Sequence, residues 1–261
     1  MCQNRSVERE TGLFIGASTK AYLGYATTTS WLRAAQATIA ARPQLEPLGI
    51  RPFVAPSTPL LLEARGILAG TSCWVGAQDG QWQTGAATGA VSMDLLGELG
   101  LDFVELGHAE RQRVFGETPD ETRRKAAAAG AAGLRVLFCV GEPDRTGADA
   151  AAEHCVGQAL AALGAAEFPL DRVLFAYEPW WAIGADRPAE PEYVNDVLAG
   201  VRAGLGREFA ARPIGILYGG SAGPGTLAPL TEADGLFLGR FAHDPANFAR
   251  VLDEAIERRR D

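Results

Sequence analysis

Lysine is nearly missing from this 261-residue chain: of its 24 basic residues only Lys20 and Lys125 are lysines, and arginine fills the other positions. Histidine is scarce as well, at His108, His154 and His243. Cysteine occurs four times (Cys2, Cys73, Cys139 and Cys155), with no spacing that resembles zinc ligands or a disulfide framework. That pattern points to reduced thiols in a cytoplasmic protein and away from a cysteine-built metal site. No apolar run approaches the length of a membrane span, and residues 1–11 are polar, without the apolar core of a signal peptide. An excess of positive charge is also lacking. The net charge of -8 argues against nucleic acid or an anionic membrane as a general partner. It leaves room for a small anionic substrate, since a few local donors decide that.

Nothing divides the chain: there is no composition shift and no Pro/Ser-rich linker. With 47% hydrophobic and 21% charged residues it can bury a sizeable core. Strand-like apolar runs lie near 13–17, 51–55, 73–77, 102–106, 134–140, 171–177, 213–218 and 235–239. Helical patterns lie between them, near 25–41, 59–68, 92–99, 119–132, 148–163, 190–210, 224–230 and 245–259. Eight strands each followed by a helix, with no hairpin signal, imply parallel pairing through right-handed crossovers. The count and the length predict an α/β fold of one domain, a closed (β/α)8 TIM barrel over 12–261, after a flexible N-terminal extension over 1–11. An open doubly wound sheet is the alternative, but no G-x-G-x-x-G follows the first strand.

In such a barrel the residues after the strand C-termini converge on one face. Those positions hold Ser18 and Lys20, Gln78, His108, Glu142, Glu178, Ser221, and Gly239 with Arg240. Glu178 ends a buried strand, Pro179 stops the ladder, two indoles follow, and Gly184 closes the loop. This reads as a general base beneath a lid, or more plainly as a strand-end acid that caps the next helix. Lys20 stands alone in a Gly- and Thr-rich turn, where a compact ammonium has a use that arginine does not serve. Lys125, in Arg123-Arg124-Lys125, reads as part of a solvated helical face. His108 precedes a short helix, whose dipole disfavours an imidazolium. A neutral ring can donate to a substrate carbonyl. Its plain reading is a loop-fixing histidine. The turn Gly219-Gly220-Ser221 and the pair Gly239-Arg240 let backbone N–H groups approach an oxyanion, with short helices to add their dipoles. Together a base, an electrophile, a cation and a phosphate cradle suit proton abstraction alpha to the carbonyl of a sugar phosphate. Preorganised electrostatics can hold the enediolate, so no metal or cofactor is expected.

Four segments then resemble the triosephosphate isomerase family, in order along nearly the whole chain. They are Leu106-Gly107-His108-Ala109-Glu110-Arg111, Cys139-Val140-Gly141-Glu142, Tyr177-Glu178-Pro179-Trp180-Trp181-Ala182-Ile183-Gly184 and Ile216-Leu217-Tyr218-Gly219-Gly220-Ser221. The resemblance implies that Glu178 shuttles the proton, His108 polarises the carbonyl and Lys20 holds the substrate electrostatically. It also implies phosphate contacts from Gly184, Ser221 and Gly239, and support for the lysine from Glu110. The segment Gln78–Gly85 looks like the family's strand-three loop, which implies a homodimer. Departures occur at Ser18-Thr19-Lys20, where the family has Asn-Trp-Lys, at Ala109 for a serine, at Arg240 for a glycine, and at the lid end Gly184-Ala185-Asp186-Arg187. This combination resembles the branch that isomerises tetrulose phosphates such as L-erythrulose 1-phosphate. The expected activity is an aldose–ketose isomerisation giving a tetrose phosphate, with a triosephosphate isomerase as the alternative. A non-catalytic sugar-phosphate binder is a third reading, opposed by the joint presence of Lys20, His108 and Glu178.

Overall fold

The computed structural model describes residues 12–164, 166, 168–185 and 187–260. The expected extension over 1–11 lies outside the described residues. Eight parallel strands close into a barrel in chain order: β1 (Leu13–Ser18), β2 (Ile50–Ala55), β3 (Trp74–Ala77), β4 (Phe103–Leu106), β5 (Arg135–Val140), β6 (Val173–Tyr177), β7 (Gly215–Tyr218) and β8 (Gly235–Leu238). The (β/α)8 barrel expected from the alternation is therefore the observed fold. Register pairing is uneven around the ring. β1 and β2 share six paired residues, whereas β7 and β8 share one, Tyr218 with Leu236.

Alternation along each strand separates two cores. Phe14, Phe53, Phe103, Leu137, Leu174 and Phe237 fill the barrel, with Phe53 edge-on to Phe103 at 5.5 Å and stacked on Phe237 at 5.7 Å. Intervening residues such as Ile15, Val54, Val104 and Val136 pack outward against the helices. These are α1 (Tyr25–Ala40), α2 (Leu61–Leu68), α3 (Met93–Glu98), α4 (Ala109–Phe115), α5 (Pro119–Ala131), α6 (Ala148–Ala159), α7 (Pro191–Glu208) and α8 (Pro245–Arg260). The start of α5 is written in the sequence: Thr118 and Glu121 form a reciprocal capping box with Pro119 at the first helical position. Among the described residues no helix is long and apolar enough to cross a membrane.

Two expectations need correction. No α-helix forms over 224–230, because Pro224, Gly225 at φ +85° and Pro229 break the pattern into turns. The helix count is kept by the fourth unit, which carries both α4 and α5. Lys125 is not solvated: it is 4% exposed, with Nζ 2.6 Å from Glu117 Oε2 and 2.7 Å from Asp79 Oδ1. Each step along a helix turns the side chain by about 100°. Arg123 and Arg124 therefore pair outward with Asp120, while Lys125 faces the barrel, where two carboxylates compensate its burial.

Candidate active site

Lys20 follows β1 with φ +44°, the one non-glycine residue with positive φ among those described. Such a backbone costs a lysine about 1–2 kcal/mol, and neighbours hold it there. Its carbonyl accepts from Ser57 Oγ (2.8 Å) and Gln78 Nε2 (3.2 Å), and its N–H reaches Ser18 Oγ at 3.4 Å. The ammonium lies 2.8 Å from Glu110 Oε1. Burial works against its charge, but Glu178 and Glu110 outweigh burial, so its pKa rises and the ammonium persists.

His108 caps α4: its Nδ1 accepts the Glu110 N–H at 3.0 Å. That nitrogen must carry a lone pair, which places the single ring proton of the neutral form on Nε2. Nε2 is 3.1 Å from Glu178 Oε2 but is not aligned for a hydrogen bond. Burial pushes the imidazole pKa down, and the carboxylates of Glu178 and Glu105 more than reverse this. The bond from Glu110 acts in the other direction, since a protonated Nδ1 forfeits it.

Glu178 continues β6, its N–H donating to the Val140 carbonyl at 2.8 Å, and the residue is 4% exposed. The Cys139 thiol lies 3.8 Å from Oε1. Gly219 must be glycine for a reason unrelated to phosphate: a Cβ there falls 2.5 Å from Glu178 Cγ. The glycine-rich turn after β7 is thus first the floor on which the carboxylate rests.

The lid after β6 is tied at several points. Glu142 Oε1 accepts from Trp181 Nε1 (2.8 Å), Tyr177 OH (3.0 Å) and Tyr193 OH (3.0 Å). Ser221 Oγ donates to the Ala182 carbonyl at 3.0 Å, and the Ala189 N–H donates to Tyr218 OH at 2.9 Å. Gly184, with φ +75°, offers its carbonyl to Arg240 Nη2 at 2.9 Å. Arg240 opens the short turn Arg240–His243 after Gly239, so its side chain spans from the β8 loop to the lid.

A cavity of about 60 Å³ lies between these groups, lined by Ser18, Lys20, Glu110, Glu178, Gly184, Ser221, Gly239 and Arg240 among others. Every site residue expected from the sequence except His108 lines it, and His108 adjoins it through Glu178. The whole barrel has a counterpart: a family model described as triosephosphate isomerase matches residues 13–255. The chain belongs to the triosephosphate isomerase family.

Among its relatives is the L-erythrulose-1-phosphate isomerase of Pectobacterium atrosepticum, 44% identical over 249 residues, which cover 94% of this chain and 96% of that protein. Another protein of that name, from Mycolicibacterium smegmatis, is 38% identical over 251 residues, 93% of each chain. A third, from Rhizobium etli, is 39% identical over 214 residues, 78% of this chain and 79% of the relative. Family membership and these relatives support a sugar-phosphate isomerase.

Some neighbours of this isomerase site carry no role from the sequence. Glu105 is the clearest: it sits inside the barrel on β4, 4% exposed, with Oε1 4.0 Å from His108 Nε2. A carboxylate within Phe103-Val104-Glu105-Leu106 was the available signal. Gln78 and Glu142 stand at strand ends as expected, but their task in the structure is to hold Lys20 and the lid. Ser57, which also holds Lys20, comes from the loop after β2 and has no motif to announce it. Three described cysteines, Cys73, Cys139 and Cys155, are free thiols, and burial pushes the pKa of each upward.

Proposed function

We propose that this isomerase interconverts phosphorylated ketotetroses, with L-erythrulose 1-phosphate as substrate. The relatives named for that substrate, matched along nearly the whole chain, carry the reading. Lys20 and Glu178 line one cavity and His108 lies behind it, 3.1 Å from Glu178, an arrangement that supports the chemistry. A ketose with phosphate on C1 and carbonyl on C2 forms an enediolate by losing the proton on C3. Reprotonation at C2 leaves the carbonyl on C3, so the product is again a ketose, now numbered as a 4-phosphate. For this substrate the reaction is ketose to ketose, which revises the aldose–ketose exchange expected from the sequence. Compared with a triose phosphate, the added hydroxymethyl group sits on the carbon that gives up its proton. Ser18, where the family commonly has asparagine, lines the cavity and leaves more room there.

Glu178 takes the proton from carbon and returns it to the neighbouring carbon. His108 donates Nε2–H to the developing enediolate, and Lys20, held by Glu110, supplies fixed positive charge. Gly184, Ser221 and Gly239 surround the phosphate, and the Arg240 guanidinium adds a cation above it while holding the lid. The protein acts in the cytoplasm as a homodimer joined through residues 78–85. Exposed Val114 and Phe115 at the end of α4, beside an open groove of about 590 Å³ that includes Gln81 and Trp82, support that assembly.

The test compares kcat/KM for L-erythrulose 1-phosphate and dihydroxyacetone phosphate on one preparation. A preference for the tetrulose phosphate is expected. A strong preference for the triose would move the assignment to triosephosphate isomerisation, the activity in the family's own name. In parallel, Glu178→Gln should lower kcat by about 10²–10⁴ while a phosphorylated substrate analogue still binds. Retained turnover would remove Glu178 from its role and leave a sugar-phosphate barrel without its base.

A further inference from the structure

Glu105 is a buried carboxylate that the reaction as written does not use. It is three residues before His108 and shares the register of Leu137 on β5, so it faces into the barrel. Its register partner Leu137 belongs to the same interior cluster as Cys139 and Ala176, none of which offers a full positive charge. Its Oε2 has no hydrogen-bond partner. The titratable groups that bear on it are His108 and Glu110 from the β4–α4 turn, Lys20 from the loop after β1, Glu178 from the end of β6, and Cys139 on β5.

Two carboxylates therefore flank one imidazole nitrogen: Glu178 at 3.1 Å and Glu105 at 4.0 Å from Nε2. Three ionised or ionisable groups in so small a buried space do not all keep their solution charges. One proton has to be held, on the ring or on a carboxyl. The Glu110 N–H decides between them, because it needs the Nδ1 lone pair of an uncharged ring.

We propose that Glu105 is a positioning residue that holds, as a carboxylic acid, the proton that would otherwise make His108 an imidazolium. This rests on the reading of His108 as the carbonyl-polarising group. With Glu105 neutral, the ring keeps one N–H, on Nε2, free to turn toward the substrate oxygen. When the Glu105 proton is released to solvent, the new anion competes for that N–H and repels the enediolate. Burial, reinforced by Glu178, brings the Glu105 pKa up to about 7 even against an imidazolium at His108, so beside the neutral ring it lies no lower than that. Activity through this group is full below that value and falls as pH rises past it. Lys20 and the Cys139 thiol, both displaced upward, lose their protons at higher pH.

Two measurements test the assignment. Nitrogen-15 spectra of histidine-labelled protein without ligand should show His108 as the neutral Nε2–H tautomer, its signal shifting once near pH 7. In Glu105→Gln that inflection should vanish while the tautomer stays. In kinetics, wild-type kcat/KM should drop about tenfold per pH unit on the alkaline side, whereas Glu105→Gln should be level there and lose less than about tenfold at pH values near 6. An imidazolium pattern for His108 at neutral pH overturns the proposal, as does an unchanged alkaline limb in a folded Glu105→Gln. If that variant fails to fold, the wild-type spectra decide alone. Being recorded without substrate, they also separate this assignment from the choice of sugar phosphate.

Discussion

Gly219 shows how much of the position of Glu178, the proposed base, is decided by atoms that are absent. The carboxylate of Glu178 occupies space that a side chain at Gly219 would need, with only 2.5 Å between the added Cβ and Glu178 Cγ. Gly219→Ala should displace the carboxylate by a fraction of an ångström to an ångström and lower kcat by about 10², with a much smaller effect on KM. Steady-state kinetics with a matched thermal melt checks this, and an unaltered kcat would mean that the loop yields instead of Glu178. The residues that line the cavity were legible in the sequence because they stand at strand ends or break a habit, as Lys20 does in an arginine-using chain. Glu105 was not legible as a participant, since its meaning depends on Nε2 of His108 being 4.0 Å away. Lys125 was misread for the same reason. Three consecutive basic residues look alike on paper, and only the packing of α5 separates the inward one from its neighbours.

Among the elements, strands were the more readable. Each lies within two residues of its expected bounds, because a fully buried strand is a short apolar run with turn residues on both sides. The helix expected over 224–230 failed where prolines and a positive-φ glycine outweighed a weak apolar pattern. The lid is an element of another kind, fixed by side-chain bonds at its two flanks. Tyr218→Phe removes the acceptor for the Ala189 N–H and leaves that buried donor unpaired in the observed lid position. The lost bond costs about 1–3 kcal/mol. We expect kcat/KM to fall by about tenfold or more while the thermal melting point barely changes, because the barrel itself is untouched. A comparable loss in both would place Tyr218 in the general core.

For the whole molecule, the cluster of buried Lys125 and Glu117 with half-buried Arg111 and Asp79 joins α5 to the segments after β3 and β4. Burial raises the Glu117 pKa, but Lys125 and Arg111 draw it below the ordinary carboxylate value of 4.5. A depressed folded pKa gives stability that is full above the unfolded value and is lost as pH falls through the folded one. The protein should therefore lose stability below about pH 4.5 through this group. Glu117→Gln should cost about 3 kcal/mol near neutral pH by leaving Lys125 one partner short. It should also flatten that acid dependence. Urea unfolding at fixed protein concentration across acidic pH measures both effects, and a variant as stable as the wild type would show that Asp79 alone balances the buried lysine. Since Asp79 lies in the segment proposed to form the partner interface, the same variant should also weaken the proposed homodimer in sedimentation.

Between β7 and β8 the ladder has one paired residue, supplemented by the Asp234 N–H bond to the Ile216 carbonyl and the Ile216 N–H bond to Asp234 Oδ2, both 2.8 Å, so this joint has the shortest ladder in the hoop. A ring fails at its most lightly riveted joint, and this one lies under the two loops proposed to frame the phosphate. A ligand whose phosphate is gripped from both sides acts as a clasp across that joint, so binding should tighten the ring as well as fill the site. Hydrogen–deuterium exchange should then slow most along Gly215–Tyr218 and Gly235–Leu238 when a phosphorylated analogue is added, and least along β2. Uniform slowing around the barrel would mean that the joint is as strong as the rest. With the expected pattern, substrate is a temporary structural member of the ring that turns it over, and every product release loosens the hoop again.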